Sequence, residues 1–351
     1  MKTRLYVIYI LCLIVLAACE KEVEFQAPDV EAASDVTLNG IAVEGEPLTI
    51  YLNKAYSIGN TPLLNIGYQF AFSKNDALID YQTAAYYKKT AILDAEVQAV
   101  VNNQQTYTLT LAADSMGYVC DYHPQVGDHI EIKAGNIRVE TTVPPRPQIE
   151  ILSHEVLEEN PYKYIEGMSY ENDTIMRITC RIPTSNINQY YRLRVRGERK
   201  YSYTWGAYYP MQDIYFSEDE LFVDDRLSFG FGGWPAYFSN VFDKNKIEGT
   251  DHTFTINSPK SGYVFNDGAR ELANKEIMEQ QLLEPDIPPR VMVELQALSP
   301  ELYHYLKSVE LFRITKSDAF SEPVQIYSNV QNGWGILGAL SYDRHFVEYG
   351  E

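Results

Sequence analysis

The chain has 351 residues and sets 29 Lys and Arg against 48 Asp and Glu, a net charge of −19. Nucleic-acid binding needs a clustered positive face, and no basic run occurs in the body of the sequence, so phosphate backbones are excluded as partners. The six histidines are scattered, and H-E-x-x-H, G-x-S-x-G and S-x-x-K are all missing, which removes the familiar metal and nucleophile signatures.

In chain order, Lys2 and Arg4 precede an apolar run from Leu5 to Ala18 and then Cys19, the layout of a secretion signal. A bilayer span takes about 20 apolar residues, and this run stops short at Glu20-Lys21-Glu22. Leu16-Ala17-Ala18-Cys19 resembles a lipobox, in which the cysteine sulfur receives a diacylglycerol before cleavage. The expectation is a signal peptide over 1–18 and Cys19 as the lipidated first residue of the mature chain, held on a membrane by its acyl chains. Loss of Lys2 and Arg4 leaves 27 basic against 48 acidic side chains, a net of −21. Cys19-Glu20-Lys21-Glu22-Val23-Glu24 resembles the export signal that sends Bacteroidota lipoproteins to the outer face of the outer membrane. Residues 19–34 are accordingly read as an acidic tether.

Short alternating segments follow. Val36 to Val43, Leu48 to Asn53, Ala95 to Val101, Thr106 to Leu111, Tyr118 to Tyr122, Ile130 to Ala134 and Ile137 to Val143 are strand candidates. Gly135-Asn136 joins the last two as a two-residue hairpin turn. Seven strands in so short a span predict an immunoglobulin-like β-sandwich over 35–143, closed by a proline-rich linker at 144–149 that cannot feed a central ladder.

Beyond it, 150–351 reads as a second β-rich domain. Met176, Ile178, Cys180 and Ile182 form one apolar face, and Tyr191, Leu193 and Val195 another, with Arg192, Arg194 and Arg196 opposite, toward solvent and cross-strand carboxylates. Cys120 and Cys180 both sit at apolar-facing positions, so buried thiols are expected over a disulfide. A long insertion at about 197–290 begins with a stretch crowded with aromatic side chains and ends in an amphipathic, helix-like segment carrying Leu272, Ala273 and Ile277. Val291, Val293 and Leu295 return to strand periodicity. Ser299-Pro300-Glu301 then supplies an N-cap, a preset φ and a first-turn acid for a short helix. The glycines at 333, 335 and 338 suit a tight turn before a last strand, Ile336 to Leu340.

Four blocks carry a family resemblance: the lipobox; VTLNGIAVEG at Val36 to Gly45 with Leu48 to Leu52; Asp94-Ala95-Glu96-Val97 with Val126-Gly127-Asp128 and Thr141 to Pro144; and the tail from Leu298 to Ser308 and Phe320 to Gly338. Together they resemble the Bacteroidota lipoproteins grouped as domain of unknown function 4249. The resemblance implies a β-rich extracytoplasmic lipoprotein, often encoded beside a TonB-dependent outer-membrane receptor, with no catalytic residues to carry over.

For function, Trp205, Tyr208, Tyr209 and Trp234 lie beside Gly and Pro in loop-like sequence and are the residues expected to touch a ligand or partner. Asp114-Ser115-Met116 and Asp173-Thr174-Ile175 resemble Bacteroidota O-glycosylation acceptors, which marks Ser115 and Thr174. The acidic groups Glu218-Asp219-Glu220 and Asp224-Asp225 read as solvated surface. The expectation is a surface-exposed, outer-membrane lipoprotein that binds on behalf of a TonB-dependent transporter, with no catalysis, cofactor or metal. A structural or adhesive surface module is the alternative, and a hydrolase with unrecognised acids comes third.

Overall fold

Alternating burial builds the first layers of strands. The computed structural model describes residues 36–54, 70–72, 78–80, 90–112, 117–157, 175–183, 189–198, 201–203, 206–208, 217, 219–224, 239–247, 251–259, 290–315 and 324–348. The first nine strands are β1 (Val36–Val43), β2 (Thr49–Lys54), β3 (Phe70–Phe72), β4 (Leu78–Asp80), β5 (Val97–Val101), β6 (Gln105–Leu111), β7 (Tyr118–Val119), β8 (His129–Ala134) and β9 (Ile137–Thr142). Then come β10 (Glu150–Leu157), β11 (Ile175–Pro183), β12 (Tyr190–Glu198), β13 (Tyr201–Tyr203), β14 (Gly206–Tyr208), β15 (Val241–Asp243), β16 (Asp251–Pro259) and β17 (Arg290–Leu298). Helix α1 (Pro300–Thr315) and β18 (Trp334–Glu348) close the described chain, which is mainly β.

Eleven strands share one sheet in the order β15-β12-β17-β18-β1-β2-β7-β6-β5-β8-β9, and β10-β11-β16 form a second. Strand β18 is the spine. Its first half pairs parallel with β1, from Thr37↔Trp334 to Val43↔Leu340, and its second half pairs antiparallel with β17, from Leu298↔Leu340 to Arg290↔Glu348. Ser34–Glu351 accordingly forms one compact unit in which a single ladder crosses from the N-terminal to the C-terminal part.

Two main cores hang on that spine. One gathers Leu38, Ile50 and Leu52 from β1 and β2, Val97, Ile130, Ile132 and Val139 from β5, β8 and β9, and Leu337 and Ala339 from β18. The other packs Met176, Ile178, Cys180, Phe254 and Ile256 of the three-stranded sheet on Tyr191, Leu193, Val195, Val291, Val293, Leu295 and Val347. Each fully buried Leu or Ile here contributes roughly 1.5–3 kcal/mol relative to an exposed one.

The proline segment separates these cores along the chain but is strapped down. Ser341 Oγ donates to Pro145 O at 2.9 Å, Ile149 N donates to Asp343 at 2.9 Å, and Arg146 forks onto Glu44. The Gly135-Asn136 hairpin forms, with Ala134↔Ile137 closing it. Only the first turn residue needs the positive φ (Gly135, +59°), as expected when glycine leads a two-residue turn.

Most strands fall within two residues of their predicted bounds, and three elements depart further. β7 holds only Tyr118–Val119, although Leu48 N still donates to Tyr122 O across the kink that follows. α1 runs 16 residues, and midway along it Lys307 is anchored to Asp224 and Ser239 from outside the helix and to Glu310 within it. β18 runs 15 residues instead of five, because its second half finds β17 as a partner. Cys120 and Cys180 are free thiols attached to different cores, and burial pushes the Cys180 thiol up to about 12. The helix-like stretch around Leu272 lies outside the described residues.

Candidate functional site

Cys19, Ser115, Thr174, Trp205, Tyr209 and Trp234 lie outside the described residues, and Tyr208 is described only as the last backbone position of β14, opposite Tyr201. The structure therefore neither assembles nor separates the expected aromatic contacts. Within the described residues it brings together four other groups of functional side chains.

The first is buried. Lys307, 8% exposed, aims its Nζ at Asp224 Oδ2 (2.5 Å), Glu310 Oε2 (2.9 Å), Ser239 Oγ (2.8 Å) and Val241 O (3.2 Å). Three ammonium protons thus meet four acceptors, so the ammonium has no donor to spare. The group ties α1 to the segment around 219–224 and to β15. This corrects the reading of Asp224 as solvated surface. Leu221 and Phe222 enter the second core as a short 3-10 turn, and their burial draws the following acid inside, where it is 5% exposed.

The second cluster contains Ser, Asp and His without forming a catalytic triad. His252 Nε2 lies 2.9 Å from Asp219 Oδ1, which also accepts Leu221 N and caps the turn. Ser217 Oγ donates its proton to Thr255 O at 2.7 Å, so it is not aimed at the imidazole. Asp219, like Asp224, is a structural acid.

The third feature is open. A cleft of about 450 Å³ lies beside the β8–β9 hairpin, with Leu52, Ile92 and Ile137 among its apolar walls and Glu96, Lys133 and Arg138 among its polar ones. Gln98, Lys133 and Arg138 stand in one cross-strand row across β5, β8 and β9. Arg138 spends Nη1 on Gly135 O and Ile137 O, and Lys133 meets Glu131 at 2.9 Å. Its volume falls within the range of small-ligand sites, and its walls are mixed apolar and polar.

The fourth is an aromatic ridge. Tyr190 of β12 stacks on Tyr303 of α1 with ring centroids 4.0 Å apart, and the exposed His304 meets both rings edge-on and reaches Tyr327 at 5.6 Å. Burial, followed by the nearby Glu301 carboxylate, raises the Tyr327 phenol, so it stays a neutral hydrogen-bond donor. His304 is exposed on the helix, as its sequence position suggests.

The family model described as "Domain of unknown function (DUF4249)" matches residues 21–345. The chain belongs to the DUF4249 family. No curated protein and no solved structure matches it. Within the described residues, parts of the blocks that carried the resemblance serve as structural devices. In the tail, Gly335 has φ +112°, and a Cβ there would sit 2.0 Å from Leu38 O, so only glycine lets β18 approach β1. A Cβ at Gly338 would meet Leu302 Cβ at 2.7 Å, which sets how closely α1 lies on the sheet. Ser299 Oγ serves both elements by accepting from Leu302 N and from Ala339 N.

The Val126-Gly127-Asp128 block is a clamp. Asp128 accepts from Asn102 Nδ2 (2.8 Å), from Gln125 N (2.7 Å) and from the Tyr122 hydroxyl. Burial works against the Asp128 carboxylate, but these donors outweigh it and hold its pKa below the ordinary value, while burial and the Asp128 charge raise Tyr122. Sequence reasoning missed the Lys307–Asp224 pair because its partners lie far apart in the chain, and in the clamp it is Asn102, on another loop, that sequence proximity does not bring to Asp128. Only the apolar Leu221-Phe222 pair set among acids hinted at the first.

Proposed function

We propose that this DUF4249 protein is a lipid-anchored protein of the outer membrane that faces the cell exterior and binds on behalf of a TonB-dependent transporter. The observation that carries the reading is the N-terminal series: the lipobox-like Leu16-Ala17-Ala18-Cys19, the acidic Glu20-Lys21-Glu22, and a family match that begins at residue 21, just past the cysteine. Acylation at Cys19 would hold the folded unit on a membrane, and the acidic surface would keep it soluble there.

The described side chains support binding over turnover. Lys307, Asp224 and Ser217 are committed to structural partners, whereas the cleft beside the β8–β9 hairpin and the Tyr190–Tyr303 ridge offer shaped, partly apolar surface. Trp205, Tyr208, Tyr209 and Trp234 remain the proposed contacts in the insertion.

Metabolic labelling with a tagged fatty acid, together with external protease on intact cells, tests the placement. Wild-type protein should carry the label and be digested, and Cys19→Ala should lose the label. Unlabelled wild-type protein, or protein protected until the cells are opened, would end the surface-anchor reading. Copurification with a barrel tests the partnership.

A further inference from the structure

Among the described strands, β10 has an open side. It pairs with β11 along one edge, from Glu150↔Arg181 to Leu157↔Ile175, and it ends the order of its sheet. Residues Leu152, Ser153, His154, Glu155 and Val156 are all exposed, Leu152 at 47% and Val156 at 40%. Such an edge is a template for another strand, and it lacks the Lys or Pro that blunts edges elsewhere. A register shift between Ile151 and Ser153 sets Ile151 and Leu152 against Cys180 alone. From there the alternation is regular, so Leu152, His154 and Val156 share one face and Ser153 and Glu155 the other.

We propose that β10 is the contact through which two copies of this chain pair, antiparallel and edge to edge, about a two-fold axis at His154. The strand's own sequence selects the occupant. Antiparallel edges meet with outward-pointing amides opposite one another, so a symmetric pairing must centre on a residue and not between two. Centred on His154, within the regular stretch past the bulge, Leu152 lies opposite the second copy's Val156 and Ser153 opposite Glu155. The exposed apolar side chains then cover each other, and each exposed carboxylate meets a hydroxyl. Centring on Ser153 sets Leu152 against His154, and centring on Glu155 sets two carboxylates face to face. Of these three registers, only the one centred on His154 sets apolar against apolar and carboxylate against hydroxyl. The pairing extends two three-stranded sheets into one of six strands and does not depend on the transporter reading.

Oxidative crosslinking of the full lipoprotein in membranes reads the register directly. Directly opposed Cβ atoms lie about 4.5–5.5 Å apart, within reach of a disulfide after slight adjustment. His154→Cys should therefore crosslink to itself. Leu152 and its own symmetry mate lie about 14 Å apart along the strands, so Leu152→Cys alone should stay at the wild-type background, whereas Leu152→Cys mixed with Val156→Cys should crosslink. In detergent, wild-type protein should sediment as a dimer, and Leu152→Lys with Val156→Lys as a monomer with an unchanged far-UV spectrum. A wild-type monomer at every concentration, a dimer indifferent to the two lysines, or equal crosslinking at 152 and 154 would each overturn the proposal.

Discussion

Lys307→Met tests whether the buried ion cluster holds α1 in place. The substitution keeps the length of the stem but removes the ammonium from Asp224, whose side chain is 7% exposed, and from Glu310, whose side chain is 23% exposed. Breaking a buried pair by removing one partner costs roughly 3–5 kcal/mol. The partial exposure of Glu310 and its hydrogen bond from Ser239 pull the expectation to the low end, about 3 kcal/mol. Urea unfolding followed by circular dichroism should show that loss as a lower midpoint with an unchanged slope. Adding Asp224→Leu removes the stranded carboxylate as well, so the double variant should recover at least half of the loss. A single-variant cost below about 1 kcal/mol, or a double variant worse than the single, would refute the reasoning.

Gly335→Ala should cost at least about 2 kcal/mol, since φ +112° is strained for alanine and its Cβ meets Leu38 O. Gly135→Ala, at φ +59° with nothing within 4 Å, should cost only about 1 kcal/mol by the same unfolding assay. Asp128 has a lowered folded-state pKa, so its contribution is present above the ordinary value of 3.8 and is lost as pH falls through the depressed one. Tyr122→Phe removes one of the donors responsible, and acid titration should find its unfolding at higher pH than wild type. Cys180 is shifted upward from 9.0 to about 12, so its contribution is complete below pH 9 and is lost as pH rises toward 12. Cys180→Ala should soften that alkaline loss, and the native Cys180 thiol should resist alkylation at pH 8 until the protein is unfolded.

Much of the fold is legible in the sequence, because strand alternation is local. The apolar rows Ile130-Ile132-Ala134, Met176-Ile178-Cys180-Ile182 and Tyr191-Leu193-Val195 all face a core, and Gly135-Asn136 makes its turn. Pairing over long range is not local, which is why the second half of β18 was invisible. Ser341 to Glu348 reads as polar coil until β17 is placed beside it. β17 itself shows one apolar face in sequence, yet both faces are buried. Glu294, 1% exposed, lies beneath Arg344 at 2.6 Å and accepts Gln296 Nε2 at 2.6 Å. It stands opposite Arg194, where a cross-strand carboxylate was expected.

The candidate site was less legible. The aromatic crowd in the insertion has a clear signal, but Trp205, Tyr209 and Trp234 lie outside the described residues. The Tyr190–Tyr303–His304–Tyr327 ridge joins three separate elements, and no spacing in the sequence announces it.

The partnership is tested most directly by a mild-detergent pulldown of tagged, full-length protein from outer membranes, with the accompanying proteins identified and quantified. The account predicts a TonB-dependent barrel in near-equal amount, lost when Trp205 and Trp234 are both changed to alanine. Recovery of the protein with no barrel would contradict it.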